Sequence, residues 1–157
     1  RYRTKIQRKI WCFIMDYLKV LVEEIHSVVV ATVDETGHPH TAVMDMMWED
    51  GKTVYFLTAD FKSLYKRLKE DGRVALTGMT QGAGTMDRKS ISLTGQVEWI
   101  GKEHLEELLK ANPYMYEIYP TEEGRSHLQV FRFKNAVGNF YDLTQLPPYQ
   151  ARFEIEG

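Results

Sequence analysis

Three strand-like runs separated by two tight turns constrain this chain more than any other feature. Ser27 to Val33 is a near-continuous apolar run and reads as a buried strand. Asp34-Glu35-Thr36-Gly37 is turn chemistry, His38 to Trp48 reads as a second strand, and Glu49-Asp50-Gly51-Lys52 is a second turn. Thr53 to Leu57, β-branched and aromatic, reads as a third strand. Runs joined by so few residues lie antiparallel, because a parallel neighbour needs a crossover of roughly a dozen residues.

The third run passes directly into a helix. Phe61, Leu64, Tyr65 and Leu68 fall at helical spacing on one face, Asp60 is placed to cap the start, and Gly72 to close the end. A helix start offers unpaired N–H groups and the positive end of the dipole, both favourable to an anion. Lys62 and Lys66 stand four apart on the solvent side with Ser63 between them. Like charges at this spacing repel by about 0.2–0.5 kcal/mol, and an anion between them reverses the sign. A phosphate seat and an ordinary solvated lysine face both fit these residues.

The remaining chain extends the antiparallel pattern. Arg73 to Met79 and Lys89 to Ile100 read as strands, the latter with Ile91, Leu93 and Gly95 on one face and Ser90, Ser92 and Thr94 on the other. Lys102 to Ala111 reads as a helix, and Tyr114 to Ile118 as a further turn. Leu128 to Phe133 and Val137 to Tyr141 read as a closing hairpin across Lys134-Asn135-Ala136, followed by an extended tail. Asp16 can cap a helix from Tyr17 to Ile25 with Leu18, Val22 and Ile25 as its apolar stripe. The sum is about seven strands with peripheral helices: a mainly β, closed or nearly closed antiparallel barrel. The expected organisation is a basic extension over residues 1–14, with the natural chain starting at Met15, and a single domain over 15–157.

Charge and cysteine content narrow the function. A net charge of -2 argues against nucleic-acid or membrane-surface binding, and no apolar run reaches membrane length. The single cysteine, Cys12, excludes an internal disulfide and a multi-cysteine metal site, and points to the cytoplasm. Gly82-Ala83-Gly84 lacks the Lys-Ser/Thr of a nucleotide loop. No local signature for a Ser, Cys or His nucleophile is present. His38 and His40 share a strand face, but no third ligand accompanies them and no metal site is expected. His40 is a candidate proton donor, with an ordinary surface histidine as the plain alternative. Met44, Met46 and Met47 supply a soft lining, suited to a core or to a flat ring.

Taken in order, His38-Pro39-His40-Thr41-Ala42-Val43, Trp48 to Lys52, Tyr55-Phe56-Leu57-Thr58, Lys62-Ser63 to Leu68, and Arg73-Val74-Ala75-Leu76 resemble the FMN-binding split barrels. That superfamily includes pyridoxamine 5'-phosphate oxidase and the nitroimidazole-resistance-type proteins. Ser90 to Val97 resembles its next barrel strand, and Tyr141-Asp142-Leu143 a common ending of its small members; the resemblance spans Ser27 to Leu143. It implies a homodimer with FMN at the subunit interface. Val43, Met44 and Asp45 would flank the isoalloxazine ring, and Thr58 would close the strand end near the ribityl phosphate. Lys62, Ser63 and Lys66 would hold the phosphate, with Ser90 approaching from a neighbouring strand. The implied chemistry is hydride or electron transfer to a small acceptor, nitroaromatic or quinone-like, with a redox protein as a possible donor. The alternatives on the same barrel are a non-catalytic flavin- or haem-binding module, with His38 or His40 on iron, and a deazaflavin-dependent reductase. Ala42 stands where many members carry arginine, and the oxidase's C-terminal Arg/Trp signature is absent, which argues against pyridoxamine phosphate as substrate.

Overall fold

β4 (Val54–Ala59) has every residue buried, because it separates two hydrophobic cores. In the computed structural model, which describes residues 14 and 16–156, Val54 and Phe56 point into a large core and Tyr55, Leu57 and Ala59 into a smaller one. The large core lies inside a curled antiparallel sheet, where Phe56 stacks on Phe131 at 5.8 Å between centroids. Each such buried aromatic contributes about 1.5–3 kcal/mol over an exposed one. The smaller core lies between β4 and the helices that follow β6, with Leu108, Leu109 and Met115 at its centre.

The strands are β1 (Ser27–Val33), β2 (Pro39–Asp45), β3 (Trp48–Glu49), β4, β5 (Arg73–Met79), β6 (Lys89–Gly101), β7 (Leu128–Asp142) and β8 (Tyr149–Glu156). Their order in the sheet is β2-β1-β5-β6-β7-β4-β3, with β8 also on β7. β2 and β3 end the path without pairing with each other, so the barrel is split. The helices are α1 (residues 16–25, π-helical over Val20–Ile25), α2 (Ser63–Glu70), α3 (Leu105–Ala111), α4 (Met115–Ile118) and α5 (Glu122–Arg125). The expected extension over 1–14, with Cys12, lies outside the described residues except for Ile14, which packs on the large core.

Several local expectations are corrected. β1 alternates between buried and exposed, with Val29 44% exposed, so the apolar run is not buried on both faces. The second strand stops at Asp45: Met46 joins the large core and Met47 the small one, which forces the chain to turn between them. The closing hairpin is instead one strand of 15 residues. Asn135 would suit a tight reversal, but Lys134-Asn135-Ala136 stays within the strand, and a register shift at Gln96/Val97 of β6 absorbs the bend. Gly95 makes that approach possible; a Cβ there would lie 2.0 Å from the Asn135 carbonyl oxygen. The freed edge of β7 takes β4 over Leu128–Arg132 and β8 over Asn135–Asp142, making the tail an eighth strand. α1 buries Leu18, Leu21 and Ile25 rather than Val22, because its π-helical turns shift the inward face.

Candidate functional site

α2 begins at Ser63, and its N-cap is Lys62 in extended conformation with no side-chain cap. Asp60 does not cap it: that carboxylate pairs with His127 Nδ1 at 2.8 Å. Phe61 is 67% exposed in the turn, outside the helix's apolar face. The first turn therefore holds no acid and no capping side chain, and its N–H groups remain available to an anion. Gly72, at φ +76°, closes the helix as expected.

Arg67 was not anticipated. Its Nε donates to Thr32 Oγ1 at 2.8 Å, and Thr32 is buried on β1 opposite His40. That bond fixes the guanidinium through one nitrogen, and its two terminal nitrogens meet no protein acceptor among the described residues. One signal was available: Arg67 is one helical turn beyond Ser63, hence on the same face. The Lys62 side chain likewise has no protein partner among the described residues, and Lys66 meets only Glu70, at 4.0 Å.

The same end of β2 carries His40, whose Nε2 bonds Asp34 Oδ2 at 2.8 Å. Asp34 also accepts bonds from the Thr36 hydroxyl and the Thr36 and His38 amides. These bonds, that from His40 foremost, hold its carboxyl far below the usual range. His38 Nδ1 meets Thr36 Oγ1 at 2.7 Å. Among the described residues no three His, Cys, Asp or Glu side chains converge to hold a metal.

The opposite end of β2 is a closed network. Asp45 accepts from Ser27 Oγ at 2.7 Å and from the Tyr114 hydroxyl at 2.6 Å. Tyr114 also meets His26 Nε2 at 2.9 Å. Burial, then the bond to Asp45, pushes the Tyr114 hydroxyl well above its ordinary pKa. His26 ends α1 at φ +62° and ψ −65°, a strained γ-turn conformation that costs about 1–3 kcal/mol.

Between these ends, Val43 projects from the outer face, 74% exposed, while Met44 is buried in the core and offers a ligand only its backbone. Among the described residues β2 pairs only with β1, so its other edge presents N–H and C=O groups that none of these strands takes up. Ser90 pairs with Met79 at the Asp45 end of the sheet and is half-buried. Thr58 is buried in β4 opposite Gln129. The structure thus groups Lys62, Ser63 and Lys66 with Arg67 and His40, and separates them from Asp45 and Ser90.

Two cavities flank the sheet. A groove of about 1030 Å³, lined by Tyr55, Arg132, Phe133, Tyr149 and Phe153 among others, opens where β4 and β8 diverge along β7, away from the α2 cations. A smaller cavity of about 470 Å³ reaches His26, Glu23, Met47 and Trp48. No helix of the described residues is long and apolar enough to cross a membrane.

The family model described as pyridoxamine 5'-phosphate oxidase matches residues 14–141. The chain belongs to that family. At the family level this carries an oxidoreductase role associated with FMN. No curated protein matches. Among solved structures, a NimC/NimA family protein from Clostridium acetobutylicum is 20% identical with a TM-score of 0.74, over 93% of this chain and 95% of that one. A protein from the same organism, related to general stress protein 26 of B. subtilis (pyridoxinephosphate oxidase family), is 22% identical at TM-score 0.64, over 92% and 96%. A heme-binding protein from Mycobacterium smegmatis is 13% identical at TM-score 0.66, over 88% of this chain and 57% of that one. These likenesses share the split-barrel fold.

Proposed function

We propose that this chain is an FMN-dependent oxidoreductase that passes electrons or hydride to a small acceptor, nitroaromatic or quinone-like, as a homodimer with FMN at the interface. The observation that carries it is Arg67: a guanidinium anchored by Thr32 with its terminal nitrogens unspent, beside an uncapped helix start. This donor set fits a phosphate dianion. Lys62, Ser63, Lys66 and Arg67 would hold the phosphate, with the His40–Asp34 pair alongside. The ring would lie against the outer side of β2 at Val43, Met44 and Asp45, its polar edge on the free backbone of that strand. Thr58 and Ser90 would complete the surround. FMN supplies the redox chemistry, and the protein supplies position and exclusion of water.

The second subunit is proposed from the outer face of the sheet. Val43 and Val29 face each other across β2 and β1, with Met79 exposed on β5 and Val137 on β7. The positions between them are small, including Thr77, Ser92 and Thr94. A patch of valine, methionine and short hydroxyl side chains suits a self-complementary contact. The test is a titration of the pure protein with FMN, alongside its mass in solution. Bound flavin and a doubled mass support the reading. A colourless monomer, or a haem spectrum in place of flavin, overturns it.

A further inference from the structure

We propose that His26, Tyr114 and Asp45 form a proton relay that carries a proton from the cavity beside α1 to the outer side of β2, where Asp45 delivers it to the acceptor being reduced. The proposal rests on the flavin reading above and assigns its proton path.

Donor and acceptor counting gives the relay its direction. His26 Nδ1 faces the Val22 carbonyl at 3.0 Å, which can only accept, so Nδ1 carries a proton. The Asp45 carboxylate accepts the single hydroxyl proton of Tyr114. The 2.9 Å contact between Tyr114 and His26 Nε2 then needs its proton from the ring. All three links are satisfied together when the ring carries both protons and Asp45 carries none. Tyr114 stands between them as a neutral bridge, and its resistance to ionisation suits a group that passes a proton without keeping a charge.

One concerted shift moves the charge. Nε2–H breaks as the proton goes to the Tyr114 oxygen, and the Tyr114 O–H breaks as its proton goes to Asp45 Oδ2. The imidazolium and carboxylate become a neutral imidazole and a carboxylic acid. With FMN bound, reduction of an acceptor by hydride would consume one proton, which Asp45 would supply. His26 lines the 470 Å³ cavity and is recharged from there. The charged groups facing it are Asp45 from β2, and Glu23 of α1 and Glu49 of β3 on the same cavity wall. Glu24 of α1 is engaged by Lys89 of β6. The ring that meets Tyr114 stands on strained backbone, the pattern in which local strain marks a working site.

The test begins with the full chain without flavin. Isotope-labelled histidine and aspartate are followed by NMR at neutral pH. The expected result is a His26 ring with protons on both nitrogens and an ionised Asp45 in the wild type, and altered His26 ring nitrogen shifts in Tyr114→Phe. An unprotonated His26 Nε2 in the wild type, or no change in Tyr114→Phe, overturns the relay. Should Tyr114→Phe fail to fold, Asp45→Asn serves: it must shift the His26 Nε2 proton signal, and an unchanged signal overturns the proposal. With FMN and a nitroaromatic acceptor, Tyr114→Phe should lower kcat by roughly 100-fold, the scale of general acid catalysis, with FMN affinity retained. An unchanged kcat sinks the relay and leaves the flavin reading intact. Absence of FMN binding in the wild type sinks the flavin reading, and with it the delivery role of Asp45.

Discussion

The two ends of β2 are built on opposite principles. At the α2 end, Arg67 and Lys62 present donors that no group among the described residues consumes, and the helix start lacks a side-chain cap. At the other end, Ser27, Tyr114 and His26 close around Asp45 and satisfy one another. The first arrangement is costly until an anion arrives, so it describes binding. The second is complete as it stands, so an occupant can change only where its protons sit. On the reading proposed above, the difference separates gripping a ligand from acting on one, along a strand where His40 and Asp45 are roughly 17 Å apart.

Val43 stands between the two ends and gives the largest expected effect. Val43→Glu should abolish the proposed dimer and FMN retention together, since like charges meeting across an interface cost several kcal/mol. A stable dimer of that variant by light scattering would place the interface elsewhere. Arg67→Ala should weaken FMN binding by about 1.5–3 kcal/mol, the scale of a charged hydrogen bond, and lower the melting temperature because the buried Thr32 hydroxyl loses its partner. Calorimetric titration reads the first and scanning calorimetry the second. At the closed end, Tyr114→Phe should cost about 1–3 kcal/mol of stability in urea unfolding, because Asp45 and His26 lose their shared partner.

Alkaline pH sharpens the same contrast. Burial and the bond to Asp50 push Tyr55 up to about 12, and Tyr114 is raised as well. A folded pKa above the unfolded value of about 10 means stability is intact below pH 10 and declines as pH rises through 12. Urea midpoints across that window should fall in the wild type and fall less in Tyr114→Phe. The smallest effect belongs to Lys62→Ala: as an exposed cation at a helix start it should alter FMN affinity by about 0.3–1 kcal/mol, with a weaker effect in high salt.

Much of the fold was legible because it rests on local chemistry. β5 runs from Arg73 to Met79 as its pattern indicates, and the inward set of Ile91, Leu93 and Gly95 follows from strand alternation. The long β7 was not legible. Nothing local in Lys134-Asn135-Ala136 distinguishes a bend from a reversal; the answer lies in Gly95 on another strand. In the site, the lysines were visible as a like-charged pair. Arg67 was not, because its role depends on Thr32, 35 residues away. The network at Asp45 was hidden for the same reason: Tyr114 lies 69 residues from Asp45 and 88 from His26.

The sequence by itself determined the turns after β1 and before β4, the alternation of β6, and that cations gather at one helix start, because each depends on neighbours within a few residues. Only the tertiary structure decided which donors are used up and which stay free. Hydrogen bonding saturates over 3 Å or less, and the groups that meet at that range come from strands and helices far apart along the chain.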